Sequence, residues 1–162
     1  MKVKIKLNGG IMPQKATVGA AAYDLYIPKN TVVKNNRQVV DLGFSIELPY
    51  GYAATIQPRS GFSAKGMEMR CSRHVDDIDI EWNERVDADV TRGLIDCDYR
   101  GNVGVIIYTK GDLNMGTTYT LLKGTRIAQM QIVKVPDVEL VEVEELSETD
   151  RGEGGFGSTG TK

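Results

Sequence analysis

Asp96 ends the short apolar run Leu94-Ile95, and Asp98, Tyr99 and Gly101 follow closely, in GLIDCDYRGNVGVIIY (residues 93–108). A carboxylate at the end of an apolar run can be partly desolvated and can then take a proton from water as a general base. Gly101 and Gly104 allow another molecule to approach the backbone closely. Read alone, the stretch is equally a hairpin with Asp and Gly as turn formers. Upstream, PRSGFSAKG (residues 58–66) offers the planar donor fork of Arg59 and the Ser60 hydroxyl beside Gly61. A short helix starting there would add unpaired N–H groups and complete an anion site. A capped turn with a surface arginine is the plainer alternative. KGTRIAQMQI (residues 123–132) reads as a strand after a tight turn, with Arg126 and Gln129 as polar members.

The chain closes on RGEGGFGSTGTK (residues 151–162). Fixing this much glycine costs extra backbone entropy, so the segment is not expected to order by itself. On a ligand, its amides and the hydroxyls of Ser158 and Thr159 could wrap phosphate oxygens in a backbone nest. Phe156 would offer a face to a base. Other chemistries lack their parts. Cys71 and His74 have no second pair to complete a zinc site, and the HxE…PCxxC deaminase pattern is missing. Neither a GxxxxGK[ST] loop nor a GxSxG elbow occurs. The single histidine lies away from every stretch above, and DDIDIE lacks the central glycine of a calcium loop.

The elements that must position these residues are strands. Val3, Ile5 and Leu7 alternate with lysines, which predicts a half-buried strand. Further β-rich stretches fall at residues 30–33, 38–41, 44–48, 52–57, 103–108, 118–121, 127–133 and 138–143, separated by Gly, Pro and Asn turn signals. Helical periodicity is nearly absent outside residues 60–66. Eighteen glycines in 162 residues exceed the roughly 7% average and suit a turn-rich β protein. The expected fold is all-β, a sandwich, jelly roll or small barrel. Residues 67–92 break the pattern, with eight acidic residues against four arginines. Ile78, Ile80 and Trp82 alternate there with acids, so the segment reads as an inserted β-arm. A face this short is unstable alone, and Trp82 is expected to be largely buried against its own or a neighbouring subunit.

At 41% hydrophobic and 26% charged residues, the composition suits one domain with a real core. A net charge of −2 gives no global attraction to nucleic acid. No apolar run approaches the roughly 20 residues of a membrane helix. Cys71 and Cys97 are too few for a disulfide framework and are expected as reduced thiols of a cytoplasmic protein, or of the host cytoplasm if the source is viral.

In order along the chain, AAYDLY (residues 21–26), PRSGFSAKG, GLIDCDYRG, KGTRIAQ and RGEGGFGSTG resemble the five motifs of the trimeric dUTPases (deoxyuridine 5′-triphosphate nucleotidohydrolases). The resemblance covers nearly the whole chain outside residues 67–92. It implies a jelly-roll fold of the β-clip type and a homotrimer with active sites shared between subunits. It also implies hydrolysis of dUTP to dUMP and pyrophosphate, which supplies dUMP and limits uracil in DNA. Residues 1–146 would form the β domain and 147–162 an arm that closes over the site. By similarity, Asp96 activates the attacking water, and Mg2+ rides mainly on the triphosphate with Asp24 reaching it through water. Arg59, Ser60, Gln129 and Arg151 would bind phosphates, with Ser158 and Thr159 of the arm, and Gly61 and Gly157 would also contact the substrate. Tyr99 would face the deoxyribose. Gly93, Leu94, Ile95 and Gly104 would read the uracil, and Phe156 would cover it.

Three features depart from the family pattern. Ala22 stands where glycine is common, Thr125 where an acid is usual, and residues 67–92 lengthen the gap between the second and third motifs. Two other functions compete. One is a dCTP deaminase or bifunctional deaminase–dUTPase on the same fold. The other is a regulatory binding module that uses the acidic insert to contact a protein.

Overall fold

The computed structural model describes residues 1–154. Twelve strands and one short helix make three four-stranded sheets among the described residues. One sheet runs β1 (Lys4–Leu7), β4 (Arg37–Glu47), β10 (Asn102–Thr109) and β8 (Ala88–Val90). The second runs β3 (Thr31–Val33), β11 (Thr118–Leu121), β6 (Met67–Val75) and β7 (Ile78–Val86). The third runs β2 (Tyr23–Tyr26), β12 (Arg126–Lys134), β5 (Tyr52–Pro58) and β9 (Gly93–Ile95). Neighbours pair antiparallel throughout. Inward residues of all three sheets meet in one core, with Leu25, Leu42, Phe44, Met67, Leu121 and Ile127 essentially free of solvent.

Burial alternates along β10 although the run is apolar almost throughout. Along β10, Val103, Val105 and Ile107 are buried, while Gly104 is half-buried and Ile106 exposed. Along β1, Ile5 packs against the core but Leu7 is exposed. The helix over residues 60–66 forms as α1 (Ser60–Lys65) and stops at Gly66, whose φ of +74° suits glycine.

Three expectations need correction. Residues 38–41 and 44–48 are not two strands; β4 runs through both, carrying an irregularity rather than a turn. Residues 138–143 form no strand. Their apolar residues are solvent-exposed, Leu140 to 94%, because a strand needs a hydrogen-bonded neighbour and none lies beside them among the described residues of the chain. Residues 67–92 are not simply an insert. β6 pairs with both β11 and β7, and Met67, Met69 and Cys71 sit in the core at or below 1% exposure. Only the outer part of the β6–β7 hairpin projects. Its face is split: Trp82 packs against the core, as expected, and donates from Nε1 to Glu84 Oε2 at 3.2 Å, while Ile78 and Ile80 remain exposed. The hairpin is tied to the body by Arg73, which donates from Nε and Nη2 to Thr117 Oγ1 at 3.0 and 2.7 Å.

Candidate functional site

The third sheet builds a polar row. β12 lies between β2 and β5, and Gln129 is the direct cross-strand partner of both Asp24 and Gln57. Residues directly opposite one another share a face of the sheet, so an acid and two amides stand in line. β5 ends at Pro58, and the chain turns at Arg59 into α1. That turn swings Arg59 back over the row. Its Nε donates to Asp24 Oδ1 at 3.1 Å and its Nη1 to the Arg126 carbonyl at 3.3 Å. Arg126 Nη1 reaches Asp24 Oδ2 at 3.4 Å. Gln129 Nε2 is held by the Pro58 carbonyl at 3.1 Å.

Asp24, Gln57, Arg59, Ser60, Gly61 and Gln129 line one cleft of about 340 Å³, floored by alanines of the segment before β2. Asp24 is buried, 8% exposed, and its ion pairs offset the cost of that burial. The guanidinium of Arg59 also lies 5.8 Å from the Phe62 ring centroid, which limits its freedom. The first N–H groups of a helix have no intrahelical carbonyl, and Ser60 and Gly61 are those residues here. The cleft combines a fixed cation, a hydroxyl, a side-chain amide and helix-start N–H groups. That set suits a polyanion such as a phosphate chain. Ala22 takes the position where the family pattern has glycine and lines the same cleft without closing it.

The Gly93–Gly104 stretch forms a separate unit. β9 pairs with β5, Ile56 opposite Gly93 and Ala54 opposite Ile95. A tight turn follows, in which Tyr99 N donates to the Asp96 carbonyl at 3.2 Å. Arg100 Nη1 donates to the carbonyls of Cys97 and Tyr99 at 2.7 and 2.9 Å and pins the turn from outside. Tyr99 Oη donates to the Asn102 carbonyl at 2.9 Å. The ring therefore lies over Gly101, where a Cβ would come within 2.4 Å of that hydroxyl oxygen. Leu94 is 65% exposed and Tyr99 45% exposed, an uncovered apolar pair beside the turn.

The expected desolvation of Asp96 is not found in the single chain, where the residue is exposed. The structure also separates it from the cleft. Asp96 follows Ile95 and so lies level with the Ala53 end of β5, whereas Arg59 leaves the other end. At about 3.3 Å per residue, the six steps from Ala53 to Arg59 come to about 20 Å. Asp96 and Cys97 instead line a smaller hollow with Tyr50, Tyr52 and Pro136. Asp96 and the cleft thus occupy opposite ends of one strand. Arg151 is not brought to either place: its Nε donates to the Gly154 carbonyl at 2.7 Å within its own turn. Phe156, Gly157, Ser158 and Thr159 lie outside the described residues.

Among the described residues, no group of three or more His, Cys, Asp or Glu side chains could hold a metal by itself. Both oxygens of Asp24 accept from guanidinium groups, yet a carboxylate has about four lone-pair sites. Asp24 can therefore still accept from a metal-bound water. This donor set fits a cation held chiefly by phosphate oxygens, with Asp24 outside its coordination shell. Among the described residues, no helix is long and apolar enough to cross a membrane.

The family model for dUTPase matches residues 8–81 and 83–160, nearly the whole chain. The chain belongs to the dUTPase family. It is similar to the deoxyuridine 5′-triphosphate nucleotidohydrolase of a Hydrogenobaculum species, at 41% identity over all of both chains. It is 37% identical to that of Oryza sativa subsp. japonica, over 99% of this chain and 80% of the relative. Among solved structures, the dUTPase of Staphylococcus bacteriophage 80alpha bound to dUpNHpp matches with a TM-score of 0.75 at 27% identity, over 98% of each chain. A dUTPase of the S. aureus phage phi11 that coordinates a structural Mg(II) ion shares the fold, with a TM-score of 0.69 at 23% identity, over 90% of this chain and 98% of that one. The jelly-roll expectation holds, and the deaminase alternative is not favoured. In the dUTPase chain, residues 67–92 supply two adjoining strands, β6 and β7, to the second sheet.

What the sequence missed was Gln57 in the cleft and the second guanidinium on Asp24. Gln57 had no signal of its own, because a polar residue in a strand is unremarkable until its cross-strand partner is known. Arg126 was seen only as a polar strand member, and its bond to Asp24 spans 102 residues of sequence.

Proposed function

We propose that the chain hydrolyses dUTP to dUMP and pyrophosphate in a homotrimer, at sites that combine the anion cleft of one subunit with the Asp96 hairpin of a second. As a member of the dUTPase family it is a dUTP diphosphatase. The single observation that carries the shared site is the separation along β5. A general base acts within hydrogen-bond reach, or through one water, and about 20 Å of strand exceeds that. Residues 135–146 support the assembly as well. They leave β12 with Val138, Leu140, Val141 and Val143 exposed, a stretch with apolar surface to bury on a neighbour.

In this reading Arg59, Ser60, Gly61 and Gln129 bind phosphate oxygens and set the α-phosphorus for in-line attack. Asp96 of the neighbouring subunit takes a proton from the attacking water. Its desolvation comes from the subunit interface and the nucleotide. Mg2+, held chiefly by the triphosphate with Asp24 reaching it through water, would supply charge neutralisation for the leaving pyrophosphate. Asp24 keeps Arg59 oriented and accepts from water at the edge of that complex. Gly93, Leu94, Ile95 and Gly104 frame the uracil, and Tyr99 packs on the deoxyribose, leaving no room for a ribose hydroxyl. Residues 1–146 are the β domain. Residues 147–162 are the arm that brings Arg151, Phe156, Gly157, Ser158 and Thr159 over the bound nucleotide.

Pyrophosphate release from a panel of nucleoside triphosphates with Mg2+ tests the activity. dUTP is expected to turn over, with dTTP, dCTP and UTP lower by orders of magnitude. Comparable cleavage of dCTP, or ammonia from it, would refute the reading. The arm has its own test. Deleting residues 152–162 should leave oligomeric state and Tm nearly unchanged and cut kcat/KM severely. Phe156→Ala should fall between, since stacking on a base contributes about 1–3 kcal/mol. A truncated enzyme with full activity would remove the arm from the mechanism.

A further inference from the structure

β4 and β10 pair with a fault in register. Asn102 lies opposite Ser45 and Gly104 opposite Asp41, so a step of two residues on β10 covers a step of four on β4. The surplus is a bulge centred on Gly43, at φ +67°. The bulge is clasped from outside, since Asn8 N and Gly10 N both donate to the Gly43 carbonyl, at 2.7 and 2.8 Å. A Cβ at Gly43 would lie 2.7 Å from Gly10 N, so the two backbones are in direct contact.

One side chain spans this bulge. Asn102 Nδ2 donates to Asp41 Oδ2 at 3.0 Å. Asn102 Oδ1 accepts from Ser45 Oγ at 3.2 Å and from Asn8 Nδ2 at 2.7 Å. Asp41 Oδ1 accepts from Gly43 N at 2.7 Å. A single amide therefore joins both ends of the bulge and the segment that clasps it. The Asp41 carboxyl is held below its ordinary value, first by the Asn102 amide and then by the Gly43 N–H. The backbone of Asn102 carries the bond from Tyr99 Oη, and Gly104 follows two residues on. Whatever fixes Asn102 fixes the backbone between the sugar-facing ring and the base-reading glycine.

We propose that Asn102 is a positioning residue for nucleoside recognition: through Asp41, Ser45 and Asn8 its side-chain amide holds residues 99–104 at the width that admits uracil on deoxyribose. This rests on the reading that the Gly93–Gly104 hairpin receives the nucleoside. Asn102 itself contacts no substrate in this account. Its loss should loosen binding and discrimination rather than the chemical step.

The test is an exchange of amide and carboxylate. Asn102→Asp sets two carboxylates face to face and removes the donor between them. Asn102→Asp and Asp41→Asn together restore every bond. The amide at 41 accepts from Gly43 N and donates to the carboxylate at 102, which accepts from Ser45 and Asn8. Steady-state constants for dUTP and dTTP are read on wild type, both single variants and the double, with Tm for each. Asn102→Asp is expected to raise KM for dUTP about tenfold, with kcat within about threefold, and to narrow the preference for dUTP over dTTP about tenfold. The double variant should regain most of both. Wild-type KM and preference in the single variants would overturn the proposal. So would a double variant that recovers Tm but not KM, because that marks a purely structural bond. If Asn102→Asp does not fold, Asn102→Ala removes the bonds without adding charge, and an unchanged KM there overturns the proposal equally. A wild-type enzyme that hydrolyses dUTP without preferring it over dTTP would instead refute the hairpin reading.

Discussion

Asp96→Asn is expected to lower kcat on dUTP by about 10²–10⁴-fold, the usual contribution of a positioned general base. The substitution keeps the size of the side chain and removes its ability to take a proton. It should not cost folding. Asp96 is exposed in the chain, and the turn is built from its backbone carbonyl, which accepts from Tyr99 N, and from the carbonyls that Arg100 holds. Oligomeric state, Tm and affinity for a non-hydrolysable dUTP analogue should therefore stay near those of the wild type. Single-turnover kinetics separates a slow chemical step from slow product release. Near-normal turnover would assign the base elsewhere.

Mixing two inactive variants should restore activity. Arg59→Ala removes the cation of the anion cleft, and Asp96→Asn removes the base. Each homotrimer is expected to be nearly inactive. In mixed trimers formed by co-refolding, a site is intact when its cleft comes from the Asp96→Asn subunit and its hairpin from the Arg59→Ala subunit. Random assembly makes about a quarter of the sites intact, because each half-site is sound in one subunit of two. Recovery to roughly that fraction of wild-type kcat, from a baseline at least about 10²-fold lower, is the expected result. If both halves came from one chain, no mixed trimer could hold an intact site, and activity would stay at the baseline. Arg59→Ala also leaves the buried Asp24 with Arg126 alone. A fall in Tm for that variant is expected and does not bear on the complementation, which is read against active-site occupancy by the analogue.

The β character of the chain was legible because its signals are local. The β-branched run in residues 103–108 and the glycines or asparagines at the turns need no knowledge of distant residues, and β10 and α1 fell where expected. The chemistry-bearing stretches were legible for the same reason, since Arg59-Ser60-Gly61 and Asp96 through Gly101 are each continuous in sequence. Residues 67–92 were misjudged because their acidic composition is a property of the exposed outer part. Met67, Met69 and Cys71 on the inner strand alternate just as regularly, but with Glu68 and Arg70 between them they were read with the charged part. Residues 138–143 show the opposite error. They have the β-rich composition of a strand and, among the described residues, no partner in their own chain, and a strand exists only as half of a pair.

By itself, the sequence determined the family, the all-β class, the order of the five motifs and the residue types available for phosphate binding and proton transfer. These are properties of short contiguous segments, and side-chain chemistry and hydrophobic period are written there directly. The tertiary structure alone decided which of those residues meet. Strand register set Asp24, Gln57 and Gln129 in one row and brought Arg126 to Asp24. The pairing of β9 with β5 put Asp96 at the far end from Arg59. The bulge in β4 gave Asn102 both ends of a gap to span. Register and bulges depend on hydrogen bonds between residues tens of positions apart, so they emerge only when the sheets close around the common core.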